Sequence, residues 1–135
     1  MIFKGLEVSV TGMLAQRVRM DVAASNLANA NSVDDNGQPY RRRVPIFEAV
    51  LDEVNGVKTY RVKVKKIVED PSPFRKIYDP SNPLAGPDGY VTLPNVDPLR
   101  EMVDMISAMR SYEANLTAFN TRKNMIVNTI DILKA

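Results

Sequence analysis

NVDPLREMVDMISAMRSYEANLTAFNTRKNMIVNTIDILKA, residues 95–135, decides the fold. Asp97 is placed to cap a helix, Pro98 fits its first position, and Glu101 puts an acid near the positive end of the dipole. Two seven-residue series then interleave to the end of the chain. Met105, Tyr112, Phe119, Ile126 and Leu133 form one; Met102, Met109, Leu116, Lys123 and Ile130 form the other. Only Lys123 breaks the apolar character, so the spacing predicts a coiled-coil seam. No Gly or Pro follows Pro98 to turn the helix back. About 38 residues at 1.5 Å each reach roughly 57 Å. A compact chain of this size has a radius of gyration of about 14 Å, so the helix outruns a globule.

The other end of the chain supplies its partner. From about Phe3 to Asn31, Leu6, Met13, Met20 and Leu27 recur at intervals of seven, with Val10 and Ala24 on the same face. Gln16 and Arg17 interrupt the second seam, and Gly5 and Gly12 weaken the first turns. The stripe then gives way to AASNLANANS, residues 23–32, which is all small and amide side chains apart from one leucine. Small residues let two backbones approach closely, and asparagine both donates and accepts in a tight contact. Asparagine also favours helix ends. Ala24, Asn26, Leu27, Ala28, Asn29 and Asn31 are therefore expected at a close helix–helix contact between subunits.

Between the helices the chain changes character. Residues 32–96 hold eight of the nine prolines, and ten of the 18 Lys and Arg fall between Tyr40 and Lys76. Turn signals recur at Asp35-Asn36-Gly37, Asn55-Gly56, Asp79-Pro80, Asn82-Pro83 and Asp88-Gly89. In TYRVKVKKIV, Tyr60, Val62 and Val64 alternate with Arg61, Lys63 and Lys65, as in a strand with one wet face. YRRRVPIF and GYVTL are weaker strand candidates, with Pro45 placing the first at an edge or bulge. DPSPF and YDPSNP read as an extended, proline-stiffened linker anchored by Phe74 and Tyr78.

The fold class that follows is α+β, with long N- and C-terminal helices paired in coiled-coil fashion around a small β-rich unit. The expected boundaries are a first helix in 1–32, a β-rich insert with its linker in 33–96, and a last helix in 97–135. One short, interrupted helix cannot cover the whole stripe of a longer one. Because an apolar side chain contributes its roughly 1.5–3 kcal/mol only when buried, the remainder calls for other copies or other proteins. The seam positions of both helices, Leu6, Met13, Met20, Met102, Met105, Met109, Tyr112, Leu116, Phe119, Ile126, Ile130 and Leu133, are accordingly subunit-interface candidates. Before assembly the terminal helices have too little to bury against and are expected to be largely disordered. Methionine at five of these seam positions suits adaptable packing.

Composition narrows the function. The chain has no cysteine and no histidine, which removes disulfides, thiol nucleophiles, the usual neutral-pH base and the commonest metal ligand. Glu101 with Asp104, and Glu69 with Asp70, are carboxylate pairs of a kind helix and turn surfaces carry routinely, and GPDG is a turn rather than a phosphate cradle. No catalytic, cofactor-binding or metal site is expected, and no small-molecule substrate. No apolar run reaches the roughly 18–20 residues that span a bilayer, and MIFKGLEVSVTG lacks the apolar centre of a cleaved signal. The alternative function is a basic coiled-coil protein that binds nucleic acid. Arg41-Arg42-Arg43, Lys63, Lys65 and Lys66 would meet phosphates, with Tyr40, Tyr60 and Phe74 offering rings to stack on. Acidic patches on adjacent subunits are the competing destination for the same charges.

AASNLANANS resembles the signature of the bacterial flagellar axial family of rod, hook and hook-associated proteins. PYRRR, DPSPFRKIYDPSNPLA and GYVTLPNVDPLREMVDMISAMRSYEANLTAFNT extend the resemblance over essentially the whole chain and narrow it to the rod. Departures such as Asp34-Asp35-Asn36 and Met109 are small. The resemblance implies a structural subunit of the periplasmic drive shaft that polymerises helically with other rod subunits and copies of itself. It also implies export by the flagellar type III apparatus without a cleaved signal, paired terminal helices as the wall of the export channel, and a β domain outside it.

Overall fold

The structure, a computed structural model, describes residues 2–134. Helix α1 (Ile2–Ala28) leads into two antiparallel ribbons, β1 (Arg43–Val54) with β2 (Val57–Glu69) and β3 (Arg75–Tyr78) with β4 (Tyr90–Leu93), before helix α2 (Pro98–Lys134) closes the chain. Asp97 caps α2 as its sequence demands, its carboxylate accepting the Leu99 N–H at 3.1 Å. At 37 residues α2 is roughly 55 Å long, against about 40 Å for the 27 residues of α1.

The helices pack antiparallel in a register set by four meeting points: Gly5 with Arg122, Gly12 with Asn115, Arg19 with Ser107, and Asn26 with Glu101. The positions of α1 in that set lie seven apart, but they are small or polar and fall one residue before the apolar series Leu6, Met13, Met20 and Leu27. A Cβ at Gly12 would stand 2.8 Å from Asn115 Oδ1, and one at Gly5 would collide with the Arg122 guanidinium. The glycines read as weak points of the helix are thus sockets for polar side chains of α2. The last two turns of α2, from about Asn128, extend past the start of α1 and are exposed.

The long hairpin turns at Asn55-Gly56, whose φ values of 53° and 77° give the type I′ geometry that matches strand twist. Its ladder pairs Arg43 with Glu69 through Val54 with Val57, slipping by one residue where Ile46 faces Lys66 and Phe47 faces Val64. Lys65 is the unpaired bulge residue, and Pro45 sits in the adjoining irregular end. The first strand runs well beyond VPIF, through the acid-bearing AVLDEV. A two-stranded ribbon is marginal alone; this one rests on α1, with the Val62 N–H directed at Thr11 Oγ1 at 3.4 Å.

The stretch expected as an extended linker is otherwise built. Arg75–Tyr78 is a strand paired with Tyr90–Leu93, and the Tyr78 and Tyr90 rings meet edge-on at 5.2 Å. The loop between is closed by the Asp79 N–H on Gly89 O at 2.9 Å. Phe74, the other expected anchor, lies under the Arg41 guanidinium at 4.1 Å.

The buried interior is made of small side chains: Ala15, Val22, Ala23, Ala30, Val91, Val96 and Ala108. Of the four largest fully buried side chains, Glu101, Val96, Asn26 and Pro94, two are polar. This chain is held at its centre by hydrogen bonds and charge.

Candidate functional site: a polar knot beside uncovered apolar stripes

Four segments meet where α1 ends, β1 begins and α2 starts. Asn26, 1% exposed, accepts the Arg43 N–H and the Tyr40 hydroxyl on Oδ1, each at 2.9 Å. Its amide donates to Arg43 O at 2.9 Å and to Glu101 Oε2 at 3.3 Å. All four partners need one side chain with both a donor and an acceptor, which explains the asparagine. Asn26, a residue expected at a subunit contact, has its polar atoms bonded inside the chain.

Arg42 is the cation of the knot. Its Nε donates to Glu101 Oε1, Nη1 to Asp70 Oδ2 at 3.1 Å, and Nη2 to Asp104 Oδ2 at 3.4 Å. Burial opposes the charge on Arg42, but hydrogen bonds and attraction from Glu101, then Asp70, outweigh it and raise its pKa. Asp70 is held below the ordinary carboxylate range, first by the Ser72 hydroxyl and backbone N–H and then by Arg42. Glu101 and Asp104 also lie at the positive end of α2. Asn95 completes the join, accepting the Arg42 N–H at 2.7 Å and donating to Asp70 O and Ser72 O, both at 3.1 Å. Among the described residues no buried side-chain nitrogen or oxygen lacks a partner, and no group of three or more His, Cys, Asp or Glu is placed to hold a metal ion.

The tribasic stretch therefore divides. Arg42 is in the knot, and Arg41 donates to Asp70 O at 2.9 Å and Ser72 O at 3.1 Å, while Arg43 is exposed beside the Tyr40 ring. Two of the three guanidiniums proposed for phosphate already have partners, and Phe74 and Tyr40 are engaged as well. Glu101 and Asp104, a spacing that helix surfaces carry routinely, both meet Arg42 here. Only the three-dimensional meeting with Arg42 separates that arginine from its two neighbours.

The other interface candidates fall into three groups. Ala24, Ala28 and Asn31 are exposed. Asn29 is half-buried and closes the end of α1 by donating to Ser25 O at 2.9 Å, while the Asn31 side chain lies 3.4 Å from Arg75 Nη2. Leu6, Met13, Met20 and Leu27, with Met105, Tyr112, Phe119 and Ile126, are half-buried along the flanks of the polar seam. Met102 (48%), Met109 (46%), Leu116 (40%), Ile130 (46%) and Leu133 (80%) stand open to solvent together with Leu99, Val103, Ile106 and Val127. These exposed apolar side chains run along α2 in a row that Lys123 interrupts. No described helix is long and apolar enough to cross a membrane.

Terminal helices paired through a polar seam, with one apolar row of α2 open to solvent and a β module between them, define a helical-hairpin subunit of the kind that packs against other helices. The family described as flagella basal body rod protein matches residues 6–34, and the C-terminal family of the flagellar basal body rod FlgEFG proteins matches residues 88–132. The chain is 50% identical over 133 residues to the flagellar basal-body rod protein FlgC of Aquifex aeolicus, with 98% of each chain covered. It is 46% identical to FlgC of Bacillus subtilis, with 98% of each covered, and 44% identical to FlgC of Salmonella typhimurium, with 93% of each covered. The chain belongs to the FlgC family of flagellar basal-body rod proteins.

Proposed function

We infer that the chain is a structural subunit of the flagellar basal-body rod that carries no reaction of its own and assembles with other rod subunits and with copies of itself. The observation that carries this reading is the row Met102, Met109, Leu116 and Ile130, exposed along one helix. In the assembled rod this row, together with Leu6, Met13, Met20, Ala24, Leu27, Ala28, Asn29 and Asn31 of α1 and Met105, Tyr112, Phe119, Ile126 and Leu133 of α2, lies against neighbouring helices. Segments 1–32 and 97–135 form the helical wall around an export channel, and 33–96 the outer module. The rod is periplasmic, and the chain reaches it through the type III export apparatus without a cleaved signal. Helical polymerisation suits apolar stripes that cannot be satisfied within one copy. The nucleic-acid alternative is not adopted, since Arg41 and Arg42 are bonded within the chain.

Met109→Glu and Ala28→Leu test the reading, because both positions are exposed in the single chain. Each variant should unfold within about 0.5 kcal/mol of the parent in urea and yet fail to co-sediment with rod subunits or restore swimming to cells lacking the parent chain. Normal assembly of both would overturn it.

A further inference from the structure

Each helix carries a second heptad stripe outside the seam that joins the pair. From Phe3, steps of four and three residues in turn lead along α1 to Ala28, and every position reached is exposed. From Leu99, steps of three and four lead along α2 to Ile130, again through exposed positions only. That spacing keeps one face of a helix against a partner helix. The α1 stripe is charged at Glu7, Arg17 and Asp21 and is otherwise apolar. The α2 stripe is charged only at Glu113 and Lys123. Phe3, Glu7 and Leu14 also border clefts between α1 and the β1–β2 hairpin, yet Phe3 is 74% and Leu14 57% exposed. Glu7 lies 3.3 Å from Lys4 one turn away, a surface pair of little energetic weight.

The charges select the partner and its direction. On α1 the acid Glu7 precedes the base Arg17 by ten residues, and on α2 the acid Glu113 precedes the base Lys123 by the same ten. Parallel helices would set acid on acid and base on base. Antiparallel helices bring Glu7 to Lys123 and Arg17 to Glu113 in a single register. In that register Phe3 meets Val127 and Leu14 meets Leu116, while Ala24 and Ala28 meet the larger Ile106 and Met102. Val10 with Asn120 and Asp21 with Met109 are the two mixed layers. Sliding by one heptad either way puts Glu7 on Leu116 or Ile130 and Arg17 on Ile106 or Asn120, and both ion pairs are lost.

The stripes do not meet within one chain, where Gly12 and Asn26 are the α1 residues that face α2. Between two copies held in the same orientation, α1 of one runs antiparallel to α2 of the other, as the charges require. The contact uses a different helix on each side, so every copy keeps one stripe for the next neighbour. Within the chain Gly12 lies level with Asn115; between copies it falls level with Ala118. The offset of three residues is about 4.5 Å along the helices per copy, which opens the contact into a helix instead of closing it on itself.

We propose that the α1 stripe from Phe3 to Ala28 docks antiparallel on the α2 stripe of a second copy of this chain, in the register that joins Glu7 to Lys123 and Arg17 to Glu113. The contact names the partner of the exposed α2 row and rests on the assembly reading above.

Because the chain has no cysteine, thiols can be placed at will. A full-length chain carrying both L14C and L116C is assembled with the other rod subunits and treated with a short bis-maleimide, while sedimentation reports association. A ladder of covalent dimers, trimers and longer products is expected, and neither cysteine alone should give a dimer. E7K, which sets lysine against Lys123, should lower the ladder yield about tenfold, and K123E added to the same chain should restore it. R17E with E113R should behave likewise. Recovery also shows that the reversed chains fold. No ladder in a sample that sediments as an assembly overturns this contact and leaves the assembly reading standing, whereas absence of both ladder and association overturns both. Dimers from either cysteine alone mark a two-fold contact and overturn the α1-on-α2 pairing. A ladder indifferent to E7K, or lost with E7K and not restored by K123E, overturns the register.

Discussion

The first and last turns of α2 belong to one unbroken helix and are built on opposite principles. Near its start, Glu101 is 1% exposed and bonded to Arg42 and Asn26, so a charge is buried while Leu99 and Met102 on either side are exposed. At its end, Ile132 is 74% and Leu133 80% exposed. Polar side chains fix the chain to itself, and apolar side chains are left for others. A buried ion pair adds little net stability over an apolar contact, yet removing one partner is severe. It therefore specifies an arrangement more than it strengthens one. In coiled coils, polar residues within a seam set register in the same way.

The contrast can be broken most sharply at its polar end. Glu101→Ala leaves the buried Arg42 with only the carboxylates of Asp70 and Asp104 and takes from the Asn26 amide one of its two acceptors, and should destabilise the chain by about 3–5 kcal/mol in urea unfolding. A loss below about 1 kcal/mol would mean that the knot does not fix the fold. Next comes the seam. Gly12→Leu drives a side chain into Asn115 and should be destabilising by roughly 1–3 kcal/mol, whereas Gly5→Ala displaces only the flexible end of Arg122 and should be milder. Equal effects would contradict the socket description.

The smallest effect is that of pH. Asp70 has a lowered pKa when folded, so its contribution is complete above its unfolded value of about 4 and is lost as the pH falls through the lower folded value. Asp70→Asn should flatten the stability profile on that acid side while leaving the profile between pH 6 and 8 parallel to the parent, as urea titrations at successive pH values would record.

Legibility in the sequence followed the range of the interaction. The cap at Asp97, the turn at Asn55-Gly56 and the extent of α2 depend on neighbours in the chain, and each could be read from a few residues. The seam could not. Apolar heptads normally face inward, and here Gly5 and Gly12 face inward while Leu6 and Met13 lie one position round the helix. Nothing local marks Gly12 as a socket, because its meaning depends on Asn115 across the pair. AASNLANANS was half legible. Asn29 ends the helix as its residue type suggests, but Asn26 acquires its role from Tyr40, Arg43 and Glu101, the last of them 75 positions away. Arg42 is chemically identical to Arg41 and Arg43, so its burial is a property of the fold alone. The extent of β1 was hidden by Pro45 and by the lack of a clean alternation, since Val50 and Val54 share a face with Glu48 and Asp52.

The most direct test of this division is hydrogen exchange along α2 in the full-length chain, followed at low concentration and again after association. In the free chain, amides near Glu101–Ala108 should be the slowest of α2, with exchange accelerating steadily to the rate of an unstructured chain beyond Asn128. On association the fast end should become protected while the knot changes little. Uniform protection of α2 in the free chain, or protection strongest at its C-terminal end, would contradict the account.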